Sequence, residues 1–233
     1  TTVGGAFGGK LDLTVQPFLA LGTYLTGRPA KVVLDRTESI RMHVKRHPFL
    51  LHYKLGATRQ GKIVALKAHL VADGGAYRST SDDVLEQATV FSSGPYEIPN
   101  VRVTGVSART NNVPCGAMRG FGAQQITFAM ESQVDRLAQA LGLDPFDVRR
   151  INMYQEGSTL VTGQVLKQSV GAKPVLEAAE AELRRWRLPE PKPGKRLGIG
   201  VAAGMKNVGL GIGNDDSVHV SLELQDDGSL MLR

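Results

Sequence analysis

Apolar positions along the chain change their period several times, and each change marks an element. Residues 11–26, LDLTVQPFLALGTYLT, set Leu13, Val15, Phe18, Leu19, Leu21 and Leu25 at mostly helical spacing. Pro17 kinks that helix or confines it to its later part, and Gly27 supplies a stop. AKVVLDR (30–36) is a short β-branched run that reads as a strand. Residues 50–77 read as two strands around the turn RQGK, with Leu51, Tyr53 and Leu55 alternating on the first and Ile63 and Ala65 opening the second. A helix is expected over 82–91, and VRVTGVSART (101–110) alternates as a strand.

After residue 110 the texture shifts. NNVPCGAMRGFGAQQ (111–125) is a Gly-rich crossing into a helix. That helix repeats Ile126, Met130, Val134, Leu137 and Leu141 on one face and stops at Gly142. Asp144 then caps a second helix with Pro145 in its first turn, and PVLEAAEAELRRWR (174–187) gives another. PEPKPGK (189–195) has linker composition, and strand texture returns beyond it, with Asp227-Gly228 fitting a hairpin tip. The expected fold class is α+β, with mixed sheets and packed helices. Its organisation reads as a main unit over 1–188, a linker over 189–195, and the start of a β-rich unit over 196–233.

Composition narrows the function classes. The 233 residues can bury a sizeable core, and no apolar run approaches the ~18 residues of a membrane span. The formal charge of +6 is spread over RMHVKRH, RRWR and KPGKR without an aromatic-and-basic ladder, which argues against nucleic acid. One cysteine, Cys115, excludes an internal disulfide framework and fits a cytoplasmic setting. The chain starts inside a Gly-rich motif without Met, so a piece of a longer subunit is expected. His43 and His47 have helical metal-ligand spacing, but Pro48 and the basic neighbours favour a turn into the next strand.

The candidate chemistry lies in two Gly-rich segments. GGAFGGK (4–10) fits the phosphate-loop pattern G-x-x-x-x-G-K, yet Leu11 stands where Ser or Thr would ligate magnesium. Nucleotide hydrolysis is therefore disfavoured, and the Rossmann fingerprint is out of phase. AMRGFGAQQ (117–125) also enters a helix, and both segments hold Phe among glycines. Glycines let a backbone approach a ligand closely, a helix start favours an anion, and Arg119 adds a cationic fork. The competing readings are core packing for Phe7 and Phe121 and a structural salt bridge for Arg119.

GGAFGGK, RHPF (46–49), GPYEIPNVRV (94–103), TNNVPCGAMRGFGAQQ (110–125) and ESQVDRLAQALGLDPFDVRRINM (131–153) together resemble the xanthine dehydrogenase and aldehyde oxidase family, the molybdenum hydroxylases. AAGMKNVGLG (202–211) resembles the entry to that family's second cofactor-binding half. The resemblance implies the family's molybdopterin-binding fold and a molybdenum–molybdopterin cofactor, with the cytosine dinucleotide form usual in bacterial members. It further implies 2Fe-2S and FAD partner domains or subunits, an oligomeric parent complex, and oxidation of an aldehyde or N-heterocycle with a water-derived oxygen.

Carried over residue by residue, Gly5, Ala6, Phe7 and Gly8 are expected beside the metal, Arg119 beside the cofactor, and Phe121 stacked on the substrate ring. No side chain of this chain is expected to ligate the metal. Purine-oxidising members have Glu at the position of Leu11 and Arg at the position aligned with Gln87, so both pocket residues tilt away from xanthine. Carbon monoxide dehydrogenases place a copper-binding Cys where Gly120 stands, so Cys115 is read as a packed side chain. The general-base Glu of the family lies downstream of residue 233. The chain alone is thus expected to be inactive, completed by the remainder of the molybdenum-binding subunit. The reading from another class is a non-catalytic assembly module that docks the iron–sulfur or FAD partners.

Overall fold

The structure, a computed structural model, describes residues 3–209, 217 and 219–232. Its frame is a three-stranded sheet of β1 (Phe49–Ala57), β2 (Ile63–Gly75) and β3 (Asn100–Arg109), in that order. β1 and β2 form an antiparallel hairpin, and β2 pairs parallel with β3. A parallel neighbour needs a crossover, which α3 (Ser81–Val90) supplies by packing over β2 and β3. The hairpin was legible from alternation, but its second phase was not. Ile63 is buried, and then Leu66, Ala68, Leu70 and Ala72 point inward, with Ala65 left half-buried. A register shift between Gly56 and Ala57 moves the inward set by one residue.

Two helices close the core. α4 (Ala123–Leu141) lays Ile126, Met130 and Val134 against β1, and left-handed Gly142 ends it. α5 (Pro145–Asn152) starts at Asp144, whose carboxylate accepts from Phe146 N–H at 2.7 Å, and packs on α4. α6 (Ala172–Arg185) adds Leu176 to the same cluster. Beyond the exposed stretch 186–200, Val201, Ala203 and Met205 return to pack on the core. β4 (Leu222–Leu224) and β5 (Leu230–Leu232) form a separate hairpin. The strand texture assigned to residues 210–216 and 218 lies outside the described residues. These helices and mixed sheets are an α+β fold.

The first forty residues behave differently. α1 (Gln16–Thr26) begins just before Pro17, which therefore sits in the first turn and does not kink it. The helix buries none of its residues, and Phe18, Leu21, Tyr24 and Leu25 stay exposed. The strand expected over 30–36 does not form. Val32 and Val33 face solvent with no partner strand, and Asp35 instead opens α2 (Arg36–Met42) through a capping box with Glu38. No helix among the described residues is long and apolar enough to cross a membrane.

Candidate functional site

Both Gly-rich segments form tight loops with Phe in the left-handed region, Phe7 at φ 54° and Phe121 at φ 50°. A bulky residue there is an outlier that the surroundings must impose. In the first loop, the N–H groups of Gly5, Ala6, Phe7 and Gly8 find no acceptor among the described residues. Gly9 N–H closes the turn on Ala6 C=O at 3.0 Å. Phe7 is 67% exposed, which removes core packing within this chain as its reason. Gly8 is required by contact as well as by its φ of 93°, since a Cβ would lie 2.9 Å from the Ala117 carbonyl carbon.

The second loop is built into the core. Gly122 starts α4 at φ 97°, and a Cβ there would lie 2.5 Å from Val84 C=O on α3. The Arg119 carbonyl accepts from Arg46 Nη2 at 2.8 Å and from Gln124 Nε2 at 2.6 Å. Its N–H donates to Phe7 C=O at 2.8 Å and ties the loops together. The Arg119 guanidinium carbon lies 5.8 Å from the Phe7 ring centroid. Among the described residues it forms no ion pair, so a structural salt bridge is not its role here. Arg46 and Gln124 were not anticipated as supports; Arg46 meets the Arg119 carbonyl across 73 positions, and no local spacing signals that.

Phe121 and Gln87 share a cavity of about 570 Å³, within the range of small-molecule sites. Leu11, 65% exposed, is not in its lining. A third lining residue, Lys206, was not predicted. Its Nζ donates to Gln87 Oε1 at 2.6 Å and lies 4.8 Å from the Phe91 ring centroid. A cation thus stands against Gln87, supplied from beyond the exposed stretch 186–200. A second cavity of about 540 Å³ lies between α6 and residues 201–206, and none of the predicted site residues lines it.

Residues 1–153 match the molybdopterin cofactor-binding domain family. The chain belongs to that family. It is 49% identical over 178 residues to the nicotinate dehydrogenase large molybdopterin subunit of Eubacterium barkeri, covering 76% of this chain and 42% of that protein. It is 38% identical over 228 residues to a probable xanthine dehydrogenase subunit of Bacillus subtilis, covering 98% of this chain and 31% of that protein. The crystal structure of the aldehyde oxidoreductase from Desulfovibrio desulfuricans superposes with a TM-score of 0.81 at 31% identity, over 98% of this chain and 25% of that one. The chain thus spans less than half the length of these relatives.

The loops of this molybdopterin-binding domain suit such a group. Four successive N–H groups without an acceptor among the described residues are donors of the kind an anionic group takes, and Gly8 lets the loop backbone close on Ala117. Glu131 on α4 is committed to the fold. The buried Glu131 accepts from Tyr96 OH at 2.5 Å, Arg149 Nε at 2.9 Å and Ala203 N–H at 2.8 Å. Burial and the Glu131 charge push the Tyr96 phenol far above its usual range. His47 is buried with Nε2 2.8 Å from Ser81 Oγ, and no group of three or more potential metal ligands forms among the described residues; burial lowers the His47 pKa, against the opposing charge of Asp73. Cys115 packs as a small side chain, and burial raises its thiol pKa.

Proposed function

We propose that the chain supplies the first part of the cofactor cradle in a molybdenum hydroxylase that oxidises an N-heterocycle or an aldehyde. The observation that carries this reading is the joining of the two Phe-bearing loops by the Arg119 N–H to Phe7 C=O bond, at 2.8 Å. When bound, the molybdenum–molybdopterin group supplies two-electron oxidation with oxygen drawn from water. Gly5, Ala6, Phe7 and Gly8 present their N–H groups to its anionic ligands, and Arg119 adds a cation held over the Phe7 ring. Phe121 offers a ring face to a planar substrate in the cavity with Gln87, and Leu11, exposed just after the first loop, is left to meet a substrate from outside that cavity. Identity to a nicotinate dehydrogenase subunit supports the heterocycle ahead of the aldehyde.

Glu131 is not the base in this proposal, because its oxygens are already engaged by Tyr96, Arg149 and Ala203. The proton acceptor comes from the rest of the subunit, and the chain alone is inactive. The bare apolar face of α1 supports that completion: Phe18, Leu21, Tyr24 and Leu25 form a surface suited to burial by another part of the parent protein. In an oligomeric, cytoplasmic parent complex, 2Fe-2S and FAD partners would take up the electrons, and the pterin would carry its cytosine dinucleotide form. In the parent enzyme, Arg119→Ala is expected to lower molybdenum per subunit by metal analysis and turnover with it. Unchanged metal content and turnover would overturn the cradle reading and favour a non-catalytic docking module.

A further inference from the structure

A side chain just past the end of the first loop ties that loop to the core. Ser79 Oγ donates to Asp12 Oδ1 at 2.7 Å, across 67 positions. Ser79 lies in the turn that leads into α3, and its φ of 41° is in the left-handed region that serine seldom adopts. Thr80, the N-cap of α3, makes no side-chain capping bond, so neither hydroxyl of this turn is spent on capping the helix. Asp12 Oδ2 is enclosed and has no donor among the described residues. Such an oxygen is rare in a folded chain. Two unfavourable choices thus meet at one hydrogen bond, although α1, just beyond it, buries nothing. Features of this kind persist only where the surroundings impose them, and they cluster at functional sites.

Gly116 is fitted to the same carboxylate. Its φ is not positive, so the backbone alone does not demand glycine there. A Cβ would lie 2.8 Å from Asp12 Oδ2, 3.0 Å from Ser79 Oγ and 3.3 Å from Val44 Cβ. Gly116 N–H donates to Lys45 C=O at 3.0 Å, which fixes this end of the second Gly-rich segment. The first loop therefore meets residues 116–119 at three places: Asp12 at Gly116, Gly8 at Ala117 and Phe7 at Arg119. Lys10 does not take the carboxylate, since its Nζ donates to Val3 C=O, and Asp12 forms no ion pair among the described residues.

We infer that Asp12 is a positioning residue. By accepting from Ser79 and seating against Gly116, it fixes the exit of the first loop and so the direction of the Gly5–Gly8 N–H groups. The inference rests on the proposed cofactor role of that loop and deepens it. Asp12 acts only through the backbone that joins it to Gly8.

The test uses the parent enzyme, with molybdenum analysis and hydrogen–deuterium exchange. In Asp12→Ala and in Ser79→Ala, molybdenum loss on dialysis should be about 10-fold faster, as for groups that orient a metal site from behind. Exchange over residues 3–12 should rise above that of metal-free wild-type enzyme, while residues 126–138 of α4 stay as protected as before. The double variant should be no worse than either single one, because both remove the same bond. Asp12→Asn keeps an acceptor and should recover most of the retention. Gly116→Ala should speed molybdenum loss in the wild type and add nothing in an Asp12→Ala background.

Unchanged exchange over residues 3–12 in both single variants would overturn the inference. So would losses that add in the double variant, or an Asp12→Asn enzyme as impaired as Asp12→Ala. If the wild-type enzyme holds no molybdenum, the hydroxylase reading fails, and exchange over residues 3–12 alone decides whether Asp12 holds the loop.

Discussion

Phe7 and Phe121 share a backbone conformation, but their loops are held in opposite ways. The second loop is locked from below: Gly122 abuts Val84 C=O, Arg46 and Gln124 clamp the Arg119 carbonyl, and α4 runs on into the core. The first loop leans on the second through one backbone bond and leads into α1 and α2, which bury nothing. The second loop is thus part of the folding unit, while the first takes its position from contacts at its rim. A ligand or a neighbouring part of the parent protein would gain most by ordering the first loop.

The largest expected effect probes the anchor of the second loop. Glu131→Ala would leave Arg149, fully buried, with only the more exposed Asp135 as an ionic partner, and would free the Ala203 N–H. The loss expected is about 3–5 kcal/mol, read from the urea midpoint. A loss below about 1 kcal/mol would show that α4 is not the anchor described.

Next comes a matched pair. Gly122→Ala and Gly8→Ala each add a methyl at positive φ against backbone, at 2.5 Å and 2.9 Å. Gly122→Ala should cost about 3 kcal/mol, because α3 and α4 must part to admit it. Gly8→Ala should cost only about 1 kcal/mol, because the first loop can swing off Ala117 instead. Equal costs would erase the distinction between the loops.

The smallest effect is a pH dependence beneath the second loop, where Gln125 Nε2 donates to His47 C=O. His47 has a folded pKa below 6.5, so the unfolded chain takes up a proton first as pH falls. Its contribution is complete above the unfolded value, begins to fade near pH 6.5, and is lost through the folded pKa. Urea midpoints across that range should decline for the wild type and decline less for His47→Gln.

Elements with strong local signals were legible in the sequence. Asp144, Pro145 and Gly142 punctuate α4 and α5, and the alternation of Leu51, Tyr53 and Leu55 sets β1. Residues 30–36 were misread because Val32 and Val33 have strand propensity without a partner, while the Asp35–Glu38 capping box was passed over. Phe7, Arg119, Phe121 and Gln87 were named from motifs; the structure puts Arg119 against Phe7, and Phe121 and Gln87 in the lining of one cavity. Lys206 lies within the AAGMKNVGLG motif, but its pairing with Gln87 could not be read that way. It meets Gln87 across 119 positions, and no periodicity extends so far.

That long reach separates two kinds of information in the chain. The cradle is written in glycines whose replacement strains the backbone, so its sequence has little freedom. Lys206 touches the rest of the molecule through one amide, one ring face and its neighbour Asn207, on a segment that rejoins the core only after an exposed connector. A single codon there can change the cavity's charge with little cost to folding. The architecture is therefore suited to divergence: descendants can inherit an unchanged pair of glycine-bound loops and alter the cavity's lining one residue at a time.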